Sequence, residues 1–331
     1  MTALRGRQWT VTTSAAAVEP ISLGTWPTPL EPAHRLAVSL GLDADDLWIK
    51  RDDLSGLGGG GNKIRKLQYT CADALAKRAT ALVTSGAAQS NHARLTAAAA
   101  ARLGLRCVLV LEGRAPPVAL GNLVLDHLVA ATVIWAGDVG PEELADRLQV
   151  VARQSRQQGL VPYVIPFGGS SPLAAHGYVD AAVELEEQLP GIEHVVVAVG
   201  SGATMAGLVA HLGAQRVVGI DTGAVPDAAT TVRALVARIT ATVPEPDDLQ
   251  IHRDQIGDGY ATLTPAAHQA MHLAARTEGL FLDPTYTARG LAGLRRLVAD
   301  GHISAGQRTV FVHTGGLPGL FGHPQLPTLI A

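Results

Sequence analysis

The chain has 331 residues, 47% of them hydrophobic and 17% charged, with a formal net charge of -3 at pH 7. That length suits about two domains of ~100–200 residues and excludes a disordered, fibrous or disulfide-stapled chain. No basic surface is left to neutralise a phosphate backbone, so nucleic acid is not expected as a partner, and no run approaches the ~18 apolar residues of a membrane span.

Only two cysteines occur, Cys71 and Cys107, without metal-ligand spacing, so no metal is expected and a reduced, cytoplasmic setting is. The Arg5–Arg7 end lacks the apolar stretch of a signal peptide, and the acid-free first 18 residues read as a frayed terminus.

Along the chain, short β-branched runs alternate with segments of helical period. Strands are predicted over Ala81–Thr84, Arg106–Leu111, Thr132–Trp135, Val161–Ile165, His194–Val199, Arg216–Ile220 and Thr309–His313. Helices are predicted over Ala93–Leu103, Pro141–Gln158, Leu173–Gln188, Thr204–Leu212, Pro265–Thr277 and Tyr286–Ala299. Such alternation specifies an α/β protein with open parallel sheets covered by helices on both faces. Glycine clusters leave the strand ends at Gly56–Gly61, Gly168–Pro172, Gly200–Gly207 and Gly315–Gly319, where ligands of open α/β sheets bind.

The basic residues are distributed unevenly. Of 26, only four are lysines, Lys50, Lys63, Lys66 and Lys77, and all fall within 28 residues. Lysine can lose its proton and form a Schiff base, which arginine cannot. Lys63, Arg65 and Lys66 follow the glycine run and Asn62, a natural N-cap, at the start of a helix whose dipole they oppose. An anion or a covalent modification is therefore expected there. A Walker loop does not fit, because Asn62 precedes Lys63 and Ile64 follows it. The turn Gly200-Ser201-Gly202-Ala203-Thr204 leads from a strand into a helix and offers backbone N–H groups to a phosphate. A nicotinamide enzyme remains open here, with Asp221 near the position of a ribose ligand.

Six motifs in chain order carry a more specific resemblance. They are Trp48 through Leu67, Gln89-Ser90-Asn91-His92-Ala93-Arg94, Gly168 through Leu173, the Gly200–Gly207 turn, Leu282 through Thr287, and His313 through Gly319. Together they resemble the D-cysteine desulfhydrase and 1-aminocyclopropane-1-carboxylate (ACC) deaminase family, over about residues 20 to 323.

The resemblance implies the tryptophan-synthase-like, type II pyridoxal phosphate (PLP) fold. A large domain would comprise 1–65 and 172–331 and a small α/β domain 66–171, in a homodimer acting on a small amino acid. Lys63 would hold PLP and move the Cα proton. Ser90, Asn91 and His92 would bind the substrate, with Asn91 also reaching the cofactor. Gly200, Ser201, Gly202, Ala203 and Thr204 would cradle the phosphate beside Lys66. Tyr286 and Tyr260 would face the cofactor, although Gly259-Tyr260-Ala261-Thr262 departs from the family's Gly-Tyr-Gly-Val-Pro run. Ser90 on its own residue chemistry also reads as a plain helix cap.

Thr287 and Thr314 stand where the deaminase branch is expected to carry Glu and Leu. A neutral hydroxyl opposite the pyridine nitrogen favours elimination over cyclopropane opening. The expected reaction is therefore α,β-elimination, foremost of D-cysteine to pyruvate, ammonia and sulfide, with ACC deamination or sulfite release from cysteate as alternatives. His268 and His272, four apart, read as a surface helix pair and not as metal ligands.

Overall fold

The computed structural model describes residues 18–329, so most of the predicted frayed terminus lies outside the described residues. Two sheets organise the chain. The smaller, of four parallel strands in the order β5-β4-β3-β6, is built from β3 (Ala81–Gly86), β4 (Arg106–Leu111), β5 (Thr132–Trp135) and β6 (Pro162–Ile165). The larger, of six strands, runs β1-β2-β10-β7-β8-β9, from β1 (Leu30–Pro32), β2 (Leu47–Lys50), β7 (His194–Val199), β8 (Val217–Asp221), β9 (Ile251–His252) and β10 (Thr309–Val312). All its pairings are parallel except β1 with β2.

Side-chain alternation along the strands divides each sheet between two apolar layers. In the larger sheet, Val196, Val218, Ile220 and Phe311 pack against α1 (His34–Leu40), α9 (Pro265–Glu278) and α10 (Thr287–Ala299). Val195, Val197, Val217 and Val310 face α6 (Pro172–Gln188), α7 (Ala203–Leu212) and α8 (Ala228–Val236). In the smaller sheet, Leu82, Cys107 and Leu109 meet α2 (Lys63–Ala76) and α3 (Asn91–Leu103), while Val83, Val108 and Val110 meet α5 (Pro141–Gln157). Helix α4 (Asn122–Leu128) joins the α3 layer through Leu123. None of the helices described is long and apolar enough to cross a membrane.

The predicted strands and helices all occur, with ends shifted by a residue or two. Elements without a strong sequence signal were not predicted. β1 has three residues and ends in Pro32, which an edge strand tolerates. β9 has two residues, and α1 and α4 have seven each with no side-chain cap. α8 is capped by Asp227 but interrupted by β-branched Thr230, Thr231 and Val232, which weaken its helical signal.

Three helices fix the site's frame by close backbone approach. A Cβ added at Gly177 on α6 would lie 2.3 Å from the Arg65 carbonyl on α2, and one at Gly207 on α7 would lie 2.3 Å from the Ala175 carbonyl on α6. Helix α6 is thus packed tightly between the helix that carries Lys63 and the helix that follows the Gly200 turn.

An ion cluster joins the same parts. Arg65 donates to both oxygens of Asp52 at 2.9–3.1 Å and to both of Glu184 at 3.0 Å, and its guanidinium stacks 4.1 Å from the Trp26 ring. Lys50 pairs with Glu184 and donates to the Thr28 carbonyl at 2.9 Å, and Tyr178 donates to Asp52. Burial alone would push the Asp52 carboxyl up, but the Arg65 charge and hydrogen bonds outweigh it and hold the group below the usual carboxylate range.

Removing one partner of such a buried cluster leaves a charge uncompensated, so Asp52→Asn should cost about 3–5 kcal/mol of stability in urea unfolding. Because its folded pKa is depressed, Asp52 stabilises fully above the unfolded pKa of ~3.9, and the contribution fades as pH falls. The penalty of Asp52→Asn should shrink accordingly in acid. A loss below about 1 kcal/mol at pH 7 would contradict the cluster's structural weight.

Candidate active site

The carboxyl ends of the strands in both sheets, and the loops beyond them, enclose one pocket. Among the residues lining it are Lys63, Lys66, Ser90, Asn91, His92, Gly200, Ser201, Gly202, Thr204, Tyr260, Tyr286 and Thr314. Twelve of the positions expected from sequence therefore converge. Two others do not line the pocket, Ala203 and Thr287.

Lys63 opens α2 behind the glycine loop, which folds back tightly on itself. At Gly60, φ is +73° and a Cβ would fall 1.8 Å from the Asp53 carbonyl, so no other residue fits. Arg94 on α3 ties this loop down by donating to the Gly58 carbonyl at 2.5 Å and the Gly60 carbonyl at 3.1 Å. Lys63 Nζ donates to Asn62 Oδ1 at 3.1 Å, and Asn62 Nδ2 donates to Thr204 Oγ1 at 3.1 Å. Burial lowers the Lys63 pKa to about 8; Asp283 opposes this and Arg94 adds to it.

The expectation that Asn62 caps α2 is corrected here. Asn62 has helical φ and ψ, and its side chain makes no cap bond because both ends of its amide serve Lys63 and Thr204. The cationic first turn of α2 is also resolved. Arg65 turns into the ion cluster, while Lys63 and Lys66 face the pocket.

Lys66 is 2% exposed, and its ammonium makes no hydrogen bond to the described residues. Burial and the like charge of Lys63 both push its pKa well down. Nearby, the N–H groups of Ser201, Gly202 and Thr204 at the start of α7 have no partner among the described residues, and the helix dipole adds positive potential. The Ala203 N–H differs, since it is turned to Ser170 Oγ at 3.4 Å. Ser170 and Ser201 hydroxyls meet at 2.7 Å and clip the Gly168 loop to the Gly200 turn. An unpaired buried lysine beside free helix-end amides is the chemistry of a phosphate cradle.

On the opposite wall, Ser90 Oγ accepts from the Ala93 N–H at 3.1 Å, so it does cap α3. A hydroxyl has one donor and two acceptor sites, and capping leaves the Ser90 proton free to reach the pocket. His92 is fixed by Thr84, whose hydroxyl donates to the Ile165 carbonyl at 2.9 Å and accepts from His92 Nε2 at 3.0 Å. Its Nδ1 is then an unprotonated, unpartnered acceptor. Burial, with the charges of Lys63 and Lys66, lowers its pKa well below the ordinary value, so His92 is neutral at pH 7.

Tyr260 and Tyr286 are hydrogen-bonded through their hydroxyls with rings edge to face, 5.8 Å between centroids. Lys63 Nζ lies 5.9 Å from the Tyr286 ring centre. Arg289 holds the loop around Tyr260 through the Gly259 and Thr262 carbonyls, both at 2.6 Å.

Thr287 lies off the pocket wall: its hydroxyl donates to Asp283 Oδ1 at 2.7 Å and it is fully buried at the start of α10, whereas Thr314 lines the pocket. Asp221 is likewise used internally, accepting from the Gly223 N–H at 2.8 Å. His268 and His272 meet through Nε2 atoms at 3.1 Å on α9.

Sequence reasoning did not assign roles to Phe167, Ala224 or Met205, which line the pocket, or to Asn122, which lies behind it. Phe167 was signalled by the glycine loop after it. Met205 lies within the Gly200–Gly207 turn, whereas Ala224 and Asn122 carry no local signal.

The residues present fit a phosphorylated aldehyde, whose phosphate Lys66 and the α7 amides would hold and whose carbonyl Lys63 would take up. The chain belongs to the family of pyridoxal-phosphate dependent enzymes, whose model matches residues 21–315. It is 37% identical over 316 residues to the D-cysteine desulfhydrase of Salmonella paratyphi B, a match spanning 91% of this chain and 95% of that protein. The D-cysteine desulfhydrase of Klebsiella pneumoniae is 40% identical over 317 residues, with the same coverage. A crystal structure of an ACC deaminase homologue superposes with a TM-score of 0.87 at 34% identity, covering 95% of this chain and 97% of that one. The processed threonine deaminase isoform 2 of Solanum lycopersicum has a TM-score of 0.65 at 19% identity over 92% of this chain and 82% of its own, and shares the fold.

The protein is therefore a PLP-dependent lyase of fold type II, in the group that contains D-cysteine desulfhydrases and ACC deaminases. This replaces the nicotinamide alternative left open by the Gly200 turn.

With PLP as cofactor, borohydride reduction followed by peptide mapping should place the label on Lys63, and Lys63→Arg should abolish it. A free amine is required for attachment, so the rate of cofactor uptake by apoprotein should rise with pH through about 8 and then level off. Label on Lys50, Lys66 or Lys77 would contradict the assignment.

Proposed function

We propose that the enzyme catalyses α,β-elimination from a β-substituted amino acid, with D-cysteine as the leading substrate, giving pyruvate, ammonia and sulfide. The observation that carries this reading is the pocket wall: neutral Thr314 lies on it, and no aspartate or glutamate is among the described residues that line the cavity. When bound, the cofactor supplies an electron sink for the pair left at Cα. With no carboxylate on the wall to keep the ring protonated, that sink would stay weak. Elimination tolerates this, because the Cβ–S bond accepts the electron pair as it breaks. Opening a strained ring demands more.

In this reading Lys63 Nζ takes the Cα proton, a task suited to an amine whose pKa burial has lowered to about 8. The Ser90 hydroxyl and the Asn91 amide hold the substrate carboxylate. Burial raises the pKa of both phenols, that of Tyr260 to about 12, so the tyrosine pair stays protonated at neutral pH. It serves as a hydrogen-bond donor to the departing sulfur and not as a base. Hydrosulfide leaves with the bond electrons, and the released 2-aminoacrylate takes up one water to give pyruvate and ammonia. Neutral His92, anchored to Thr84, adds no charge beside the two lysines.

The test is a panel of D- and L-cysteine, D- and L-cysteate and 1-aminocyclopropane-1-carboxylate, with pyruvate, sulfide, sulfite and 2-oxobutanoate measured separately. Pyruvate and sulfide from D-cysteine are expected, with little 2-oxobutanoate from the cyclopropane acid. Efficient 2-oxobutanoate formation would assign the deaminase reaction instead, and sulfite release with no sulfide would change the leaving group.

Ser90→Ala should reduce kcat/KM by about 10–100-fold, the worth of a hydrogen bond to a charged group. Lost capping alone would cost ~0.5–2 kcal/mol of stability. Unchanged kcat/KM with a lower melting temperature would return Ser90 to a purely capping role.

A further inference from the structure

We infer that Asn122, which does not line the pocket, is a positioning residue that sets the polarity of Asn91 so that both amide protons of Asn91 face the substrate. The inference rests on the reading of Asn91 as a carboxylate ligand.

Asn122 is fully buried at the first turn of α4, and every polar atom of its side chain is engaged. Its Oδ1 accepts from Arg94 Nε at 3.0 Å. Its Nδ2 donates to the Gln89 carbonyl at 2.9 Å and to Asn91 Oδ1 at 3.0 Å. Two of these contacts have only one possible sense. A guanidinium can only donate and a backbone carbonyl can only accept, so the Asn122 amide has a single orientation.

The remaining Nδ2 proton then forces Asn91 to present its oxygen to Asn122. Arg94 Nη2, 3.5 Å from the same oxygen, reinforces that choice. Asn91 Nδ2, on the other side of the planar amide, has no partner among the described residues and belongs to a residue that lines the pocket. An amide alone could turn either way and offer an acceptor, which would repel a carboxylate. Arg94 and the Gln89 carbonyl remove that ambiguity through Asn122.

The backbone of Asn122 belongs to the same arrangement. Its N–H donates to Gln89 Oε1 at 2.9 Å, and Gln89 Nε2 donates to the Leu120 carbonyl at 3.0 Å. The loop before α4 and the turn before α3 are thereby locked together. Because Arg94 also grips the Gly58 and Gly60 carbonyls, one guanidinium references both Asn91 and the loop that precedes Lys63.

Asn122→Asp tests this in the holoenzyme. It keeps the size and the acceptor for Arg94 and replaces Nδ2 by an acceptor, which should turn the Asn91 amide over. KM for D-cysteine, and the calorimetric Kd of D-alanine, which lacks a leaving group, should each rise about 10–100-fold. The kcat should change less than about threefold, as expected when uniform binding is lost. Asn91→Ala should raise both constants to a similar extent, and the double variant should be no worse than Asn91→Ala alone.

If Asn91→Ala raises both constants while Asn122→Asp leaves them within about threefold, or if the two effects multiply, the positioning role is overturned and the reading of Asn91 stands. If Asn91→Ala changes neither, Asn91 is not a carboxylate ligand and the proposal falls with it. Should Asn122→Asp fail to fold, Asn122→Ser, which removes the amide without adding charge, is judged by the same criteria.

Discussion

The geometry of the site depends on the buried contact of Arg65 with Asp52 and Glu184. Arg65 lies two residues after Lys63 and one before Lys66, Asp52 precedes the glycine loop, and Glu184 is on α6. One guanidinium therefore fixes the helix of the reactive lysine to the large-sheet side and to α6, and α6 meets α7 through Gly207. Lys63 and the Gly200 turn come from opposite halves of the sequence, yet their separation is set by a stack of three helices in backbone contact. Such contacts are short and stiff, and a reacting amine needs that constancy more than it needs any single strong bond.

Around this frame the pocket is charged on one side only. Two lysines and a helix end supply positive potential, while the other walls offer hydroxyls, amides, phenols and a neutral imidazole. The nearby carboxylate of Asp283 is fully used by the N–H groups of Thr285, Tyr286 and Thr287 and by the Thr287 hydroxyl. It contributes potential without offering a base. A doubly anionic phosphate and a substrate carboxylate are complementary to such a cavity, and the remaining proton chemistry falls to the lysine that burial has made less basic.

The fold was legible where local pattern is strong. Seven strands and six helices stand out by period and by the glycines that end them, whereas β1, β9, α1 and α4 are too short or too weakly capped to register. Lys63, Lys66 and the Gly200 turn were legible because a cationic first turn and a glycine-rich helix entry are anomalies in a single segment. The side-chain directions of Thr287 and Asn62 were not legible, for one reason. Adjacency to a motif shows that a residue is near the site but not which way its side chain turns; Asp283, four residues before Thr287, takes up that hydroxyl, and Thr204, 142 residues away, takes up the Asn62 amide. Asn122 carries no signal at all, since its role exists only in the contacts of three separate turns.

The scarcity of lysine has a practical side. Lys50 is locked in the ion cluster at 1% exposure, Lys66 is 2% exposed, and Lys63 lies within the pocket. Lys77, at the C-terminal end of α2, is 65% exposed and paired only with Asp73 four residues earlier. Among the lysine side chains, it alone presents an amine at the outer surface. Acylation of lysine side chains in the holoenzyme should thus fall on Lys77, about fourteen residues and four helical turns from Lys63.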